Sequence, residues 1–381
     1  MKILVGLSGG VDSAVCAYLL KKQGHDVTCA FMRNWDSLAN NDLLGNPTLN
    51  NDVCPQESDW IDAKSVADTL GLECLRVDFV KEYWDDVFST FLKEYKRGRT
   101  PNPDILCNKY IKFKSFFEFA QKNGFEWVAT GHYAKVVHEE NESFMRKADD
   151  DNKDQSYFLC QVPKEALRHT LFPLGEIDKP EVRRIAEELN LSIAAKKDST
   201  GICFIGERNF REFLKNYLPS KEGNIINIDN NKVLGKHQGV LYYTIGQRKG
   251  LNIGGEGGPW FVVGKDVTTN ELFVASGEDN KWLKSTRCIV NEVNWLANHD
   301  FNELACQAKF RYRQKDNEIA LRVIDENTVE CFYPQGIKAV TPGQEAVFYK
   351  DGLILGGGVI DQVFSGDEEL SKKLIKQRSQ G

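Results

Sequence analysis

In the first third of the chain, short continuous apolar runs alternate with stretches at helical spacing. Ile3, Leu4 and Val5 form a run short enough for a buried strand; Val11, Ala14, Val15, Tyr18 and Leu19 then follow at helical spacing, ending at Gly24. The same reading predicts a strand from Asp26 to Met32, a helix from Trp60 to Leu70 stopped by Gly71, and a strand from Glu73 to Phe79. A helix from Tyr83 to Tyr95 and a strand from Trp127 to Ala129 follow. Strand–helix repetition with apolar strands predicts a parallel sheet covered on both faces. Two polar stretches interrupt it, Asn34 to Glu57 and His138 to Asp154. Both read as surface loops, the first as one able to move in the absence of ligand.

After about Gly206 the helical spacing fades. Short β-rich runs take over at Asn224 to Ile228, Leu241 to Ile245, Trp260 to Val263 and Leu272 to Ala275, with a flexible glycine turn from Gly254 to Gly258. From about Lys284 six strands are predicted at close spacing, Cys288 to Val293, Ala305 to Tyr312, Ile319 to Ile324, Thr328 to Phe332, Glu345 to Tyr349 and Ile354 to Ile360. That spacing fits a small barrel. The polar end from Ser365 reads as frayed. The expected partition is an α/β domain over 1–206, a small central β-rich domain over 207–280, a C-terminal β-barrel over 281–364 and a tail over 365–381.

A length of 381 residues agrees with two or three domains, and 41% hydrophobic with 27% charged residues argues against disorder. No run approaches the roughly 18 apolar residues of a membrane span. The first strand starts directly after Met1, so no leader peptide is expected and the chain reads as cytoplasmic. Ten cysteines are scattered without a CxxC pair, which leaves no obvious ligand set for zinc or an iron–sulfur cluster. Cys16, Cys29 and Cys74 lie in apolar runs and read as small buried hydrophobes. A net charge of −6 argues mildly against a nucleic-acid partner, although a local basic face is what decides that question.

Three motifs carry chemistry. Ser8-Gly9-Gly10-Val11-Asp12-Ser13 lies between the first strand and the first helix. Glycines let backbone approach a phosphate, the helix N-terminus offers free N–H groups, and the serines add hydroxyls. Asp12 is suited to the magnesium that accompanies a nucleotide. No Lys follows the glycines, so this is a different loop from the lysine-ended phosphate loop. In Arg99-Thr100-Pro101-Asn102-Pro103-Asp104-Ile105-Leu106-Cys107-Asn108 a helix starting after Pro103 puts Asp104 and Cys107 on one face. A helix N-terminus there would lower the Cys107 pKa, and the competing reading is a capped helix with a buried Cys. Lys197-Asp198-Ser199-Thr200-Gly201-Ile202-Cys203-Phe204-Ile205 either buries Cys203 among apolar neighbours or presents it from a loop.

The first motif resembles the pyrophosphatase loop (PP-loop) of enzymes that adenylate an oxygen and release pyrophosphate, among them argininosuccinate, GMP and asparagine synthetases and tRNA-modifying enzymes. Taken with the other two motifs, and with Ala129 to Ala134, Lys153 to Tyr157, Tyr243 to Gly250 and Phe310 to Arg313, the chain resembles the tRNA-specific 2-thiouridylase family up to about Phe364. That resemblance implies an adenine-nucleotide alpha-hydrolase-like parallel sheet followed by the two β-rich domains. It implies ATP with magnesium, held by Gly6, Leu7, Ser8, Gly9, Gly10, Val11, Asp12 and Ser13 with Met32 and Gly131 on the adenine and ribose side. It implies that Asn102, Pro103 and Asp104 meet the target base, that Cys107 is the nucleophile and that Cys203 carries a persulfide. His132, Lys153, Asp154, Gln155, Arg311, Tyr312 and Gln344 would touch tRNA. Acceptor tRNAs for lysine, glutamate and glutamine, a sulfur-donor protein and a cysteine disulfide are also implied. Two other readings remain open from the residues alone: an ATP-dependent amide or C–N ligase with structural cysteines, and a non-catalytic tRNA-binding adaptor.

Overall fold

The apolar runs of the first third form a five-stranded parallel sheet in the computed structural model, which describes every residue except 50, 52–54, 141, 199–200, 204, 207, 255–256, 299 and 381. Its strands include β1 (Lys2–Gly6), β2 (Asp26–Arg33), β3 (Cys74–Asp78) and β4 (Trp127–Ala129). The order is β3, β2, β1, β4 and then Thr170–Leu171. Alternate residues of each strand enter different cores. Leu4, Ala30 and Val128 pack with Tyr83, Phe88, Ile105, Ile111 and Phe116 on one face. Ile3, Val5, Cys29 and Ala129 pack with Ala14, Val15, Ala63, Val66 and Val182 on the other. Burial on both faces is why the strands read as continuous apolar runs. The chain leaves β1 for β2 on one side and places β4 on the other, so the order reverses at β1 and opens a crevice at the carboxyl ends of β1 and β4.

The helix predicted from Tyr83 winds as a π-helix over Tyr83–Phe88 before it becomes α-helical over Ser89–Lys96. A second π segment, Asn108–Ser115, follows the short helix Pro103–Cys107 directly. Such segments concentrate at functional sites.

The central sheet has the order Trp260–Asp266, Glu271–Ser276, Gly223–Asn227, Lys232–His237. Leu241 to Ile245, expected as a strand, instead begins with a 3₁₀ turn over Val240–Tyr242, entered through Gly239 at a φ of +132°. Lys232–His237 lacked an apolar signal because it is a largely exposed edge strand. All six C-terminal strands form, and Lys284–Trp295 pairs with both Thr328–Lys338 and Leu353–Ser365, which closes the barrel.

Three expectations need correction. The stretch from His138 contains half of a hairpin, Lys135–His138 with Ser143–Arg146, which extends the barrel sheet through Leu353. The described part of the loop from Asn34 is anchored: Asn34, Trp35 and Asp42 are buried, and Asp42 accepts from Trp35 Nε1 at 3.0 Å and Arg208 at 2.8 Å. The tail is ordered as a helix, Leu370–Ser379. Leu370 and Leu374, one turn apart, are buried, and Gly264 makes room for Leu374, whose Cδ1 lies 2.5 Å from where a Cβ would stand. Arg378 pairs with Glu271 at 2.9 Å. Among the described residues no helix is long and apolar enough to cross a membrane.

Candidate active site

The first motif turns between β1 and the helix Val11–Lys22. Gly9 has a φ of +75°, and a Cβ there would lie 2.5 Å from the Asp59 carbonyl oxygen. Only glycine fits both demands. Gly10 is the N-cap, and no side chain caps the helix, so its first N–H groups stay open to an anion. Ser13 Oγ accepts from the Ser8 N–H and donates to the Gly10 carbonyl, both at 3.1 Å. Gly131, just past β4, packs against this loop so closely that a Cβ would lie 2.7 Å from Asp12 C and Ser13 N. Met32 Cε lies 3.1 Å from the Cβ position of Gly6. Gly6, Ser8, Gly9, Gly10, Asp12, Ser13, Met32 and Gly131 gather at the switch point, where the backbone-lined cradle fits a phosphate chain, whereas the Leu7 and Val11 side chains are buried in the second core.

Asp12 is already engaged. Its Oδ1 accepts from Tyr133 Oη at 2.7 Å, and Lys179 Nζ reaches Oδ1 and Oδ2 at 2.7 and 2.8 Å. A carboxylate has about four lone-pair directions, so three are taken and about one stays open while Lys179 remains. Lys179 also pairs with Asp198 at 2.7 Å, and Asp198 pairs with Lys153 at 2.8 Å. These cations hold the Asp198 carboxyl down to about 2 against the opposing effect of burial. Lys196 ties the same segment to Gly9 O, Asp59 and Asp62 at 3.1, 2.8 and 2.7 Å.

The second and third motifs meet. Asn102 Oδ1 caps the helix Pro103–Cys107 by accepting from Asp104 N at 3.1 Å, and Pro103 pre-sets its first turn. Asp104 and Cys107 share a face, as their spacing predicts, and that face meets Cys203. Asp104 Oδ1 accepts the Cys203 N–H at 3.1 Å, and the two sulfurs are 3.7 Å apart. That is well beyond the roughly 2.05 Å of a disulfide, and both thiols are free. Tyr83 Oη holds the Cys203 carbonyl at 2.9 Å. Ser199, Thr200 and Phe204 of the third motif lie outside the described residues.

The expected lowering of the Cys107 pKa is not found. Cys107 ends its short helix, far from the N-terminal amides, and burial with the neighbouring Cys203 pushes its thiol well above the usual range. The lowered thiol is Cys203, through its hydrogen bond with Cys107 and the charge of Lys112, against burial. Burial raises Asp104. Burial opposes the charge on Lys112, but the two thiols and Asp104 outweigh it. Cys16 and Cys29 are fully buried and Cys74 half-buried, with the Cys74 thiol pushed up to about 11 by burial.

The expected tRNA contacts are spread more widely. His132 is buried, with Nδ1 at 2.6 Å from Thr130 Oγ1 and Nε2 at 3.3 Å from Lys112 Nζ. Asp154 is buried and accepts from Ala148 N and Ser156 Oγ at 3.0 and 2.7 Å, and Gln155 Oε1 accepts from Tyr133 N at 3.0 Å. Arg311 bridges the two β-rich regions by donating to Ile245 O and Thr341 Oγ1. Tyr312 packs on Phe158 with ring centroids 4.4 Å apart. Gln344 Nε2 donates to Thr100 O at 2.7 Å, and Arg99 pairs with Asp361 at 2.7 Å, so the barrel braces the segment leading into Asn102 and Asp104. Sequence reasoning missed Lys112, Lys179 and Lys196. Lys112 had a usable signal, five positions after Cys107 on one helical stretch.

Three family profiles match successive parts of the chain: a tRNA methyl transferase HUP domain over residues 1–207, a tRNA methyl transferase PRC-barrel domain over 211–276 and an aminomethyltransferase beta-barrel domain over 285–360. The tRNA-specific 2-thiouridylase MnmA of Mycoplasma capricolum subsp. capricolum is 56% identical over 371 residues, covering 95% of this chain and 99% of that protein. The protein of the same name from Mycoplasmopsis pulmonis is 53% identical over 371 residues, covering 97% of this chain and 99% of that protein. The Bacillus cytotoxicus protein of that name is 50% identical over 370 residues, with 97% of each chain covered. With 50–56% identity over 95–97% of its length to these relatives, the chain belongs to the tRNA-specific 2-thiouridylase family.

Proposed function

We propose that this protein is an ATP-dependent sulfurtransferase that converts the wobble uridine of tRNA to 2-thiouridine, releasing AMP and pyrophosphate. The observation that carries the reading is the pair of free sulfurs 3.7 Å apart, beside a carboxyl group and joined to the nucleotide crevice through Lys112 and His132. An amide or C–N ligase has no use for such a pair.

When bound, ATP supplies the adenylyl group that turns the uridine O2 into a good leaving group. The open N–H groups at Gly10 and Val11, with Ser8 and Ser13, would hold the phosphates, and Asp12 would share the magnesium that accompanies them. Met32 and Gly131 flank the adenosine. Asn102 and Pro103 seat the flipped base, which an anticodon loop releases at low cost. Asp104, whose carboxyl burial raises above its usual range, exchanges a proton with the uridine N3 or O2. Cys203 brings the sulfur as a persulfide, whose terminal atom bonds to C2 as the C2–O bond breaks and AMP leaves. Cys107 then attacks Cys203 Sγ, the S–S bond to the transferred sulfur breaks, and C2=S is freed as a Cys107–Cys203 disulfide forms. A thiol reductant restores the pair. His132, Lys153, Asp154, Gln155, Arg311, Tyr312 and Gln344 belong to the tRNA-facing side, some as direct contacts and some as braces. The tRNAs for lysine, glutamate and glutamine are the expected acceptors, a persulfide-bearing protein the donor, and the cytoplasm the compartment. Mass spectrometry of wobble uridine in tRNA from cells with and without this gene tests the reading. Unchanged 2-thiouridine would overturn it.

A further inference from the structure

Cys203 sits in a pocket of opposing charges. From the helical stretch after Pro103 it is faced by Asp104, Cys107 and Lys112, and from the π-helical turn by Tyr83. Asp104 and burial work against a thiolate, whereas Lys112 is the cation beside it. A long lysine side chain has many rotamers, and a charge that wanders stabilises nothing in particular. Lys112 is prevented from wandering. Its Nζ lies 3.3 Å from His132 Nε2, and the His132 ring is fixed on its other side by Thr130 Oγ1 at 2.6 Å. Burial, then the charge of Lys112, hold His132 well below its usual range, so the imidazole is neutral. The ammonium is donor-only, so Nε2 is the acceptor and Nδ1–H donates to Thr130. Thr130 and His132 flank Gly131, the residue packed on the phosphate loop. One connected set therefore runs from the nucleotide crevice to the sulfur.

We infer that Lys112 is a positioning residue for sulfur transfer, an ammonium seated on His132 Nε2 that favours the thiolate form of Cys203 Sγ. The inference rests on Cys203 being the sulfur carrier. The step it serves is loading: the Cys203 thiolate attacks the terminal sulfur of a protein persulfide, a new S–S bond forms on Cys203, the donor S–S bond breaks, and the donor leaves as a thiolate. The hydrogen bond with Cys107 and the Lys112 charge favour the thiolate that makes this attack. His132, expected to contact tRNA directly, acts here as the seat for that charge.

The test is alkylation of the reduced full-length protein with iodoacetamide across pH, read at the Cys203 peptide by mass spectrometry. Lys112→Met is expected to move the midpoint up by at least about one pH unit, which is about a tenfold loss of thiolate near neutral pH. Lys112→Arg is expected to stay close to wild type. Lys112→Gln keeps a donor without the charge and is expected to behave as Lys112→Met, which guards against a misfolded variant. A midpoint unmoved in both Lys112→Met and Lys112→Gln overturns the inference. Single-turnover thiolation with Cys203→Ser separates the two levels, because normal yield there overturns the sulfur-carrier reading itself.

Discussion

Gly131→Ala is the sharpest test of the nucleotide crevice, because the added atom has no flexible neighbour to push aside. A Cβ at this position lies 2.7 Å from Asp12 C and from Ser13 N, both of them backbone atoms. Restoring ordinary contact requires the phosphate loop and the strand end to part by about 0.7 Å. Overpacking of this kind costs about 1–3 kcal/mol. The displaced atoms are those that present the N-terminal amides of the helix, so the loss should fall on nucleotide binding. The expected result is a rise of at least about tenfold in the apparent KM for ATP, the equivalent of about 1.4 kcal/mol. Pyrophosphate release in the presence of tRNA measures it, with thermal melting alongside. Gly235→Ala is the control, since no atom lies within 4 Å of its Cβ position. Loading of Cys203 from a persulfide donor should survive in Gly131→Ala. An unchanged KM together with an unchanged melting temperature would refute the assigned packing.

Cys203→Ser should abolish 2-thiouridine formation in a single turnover with preloaded persulfide, and Cys107→Ser should block release while leaving Cys203 able to carry sulfur; normal yield from Cys107→Ser would end the two-thiol mechanism. Arg311→Ala should lower the melting temperature, because the guanidinium ties Ile245 to Thr341, and should reduce the salt slope of tRNA binding by about one. A lower melting temperature with an unchanged slope would assign Arg311 to bracing alone. Glu345 is buried, one of its oxygens lacks a hydrogen-bond partner, and burial holds its carboxyl well above the usual range. The folded chain therefore keeps a proton that the unfolded chain loses above about pH 4.3, and stability falls by about 1.4 kcal/mol per pH unit until the folded group ionises. Glu345→Gln should remove that fall, so its melting temperature should gain on wild type between about pH 5 and about pH 7. A difference that does not change with pH would contradict the sign.

What the sequence determined by itself was local. The strand, glycine turn and helix around Ser8 to Ser13 are contiguous, so their order alone announces a phosphate cradle, and the six barrel strands show because each is a short β-rich run close to the next. The cap at Asn102 and the shared face of Asp104 and Cys107 are likewise set within one turn of helix. The tail helix was invisible because its stripe is only Leu370 and Leu374, and it forms by docking on the space left by Gly264. Without a family resemblance the thiol pair was equally hidden. Its members stand 96 positions apart, and nothing near either Cys distinguishes a buried thiol from a reactive one. The tertiary structure alone decided that the Cys107 and Cys203 sulfurs stand 3.7 Å apart, that Lys112 stands beside both, and that His132 is buried. The physical reason is that ionisation depends on burial and on charges within a few ångströms, and those distances exist only once distant segments have packed together.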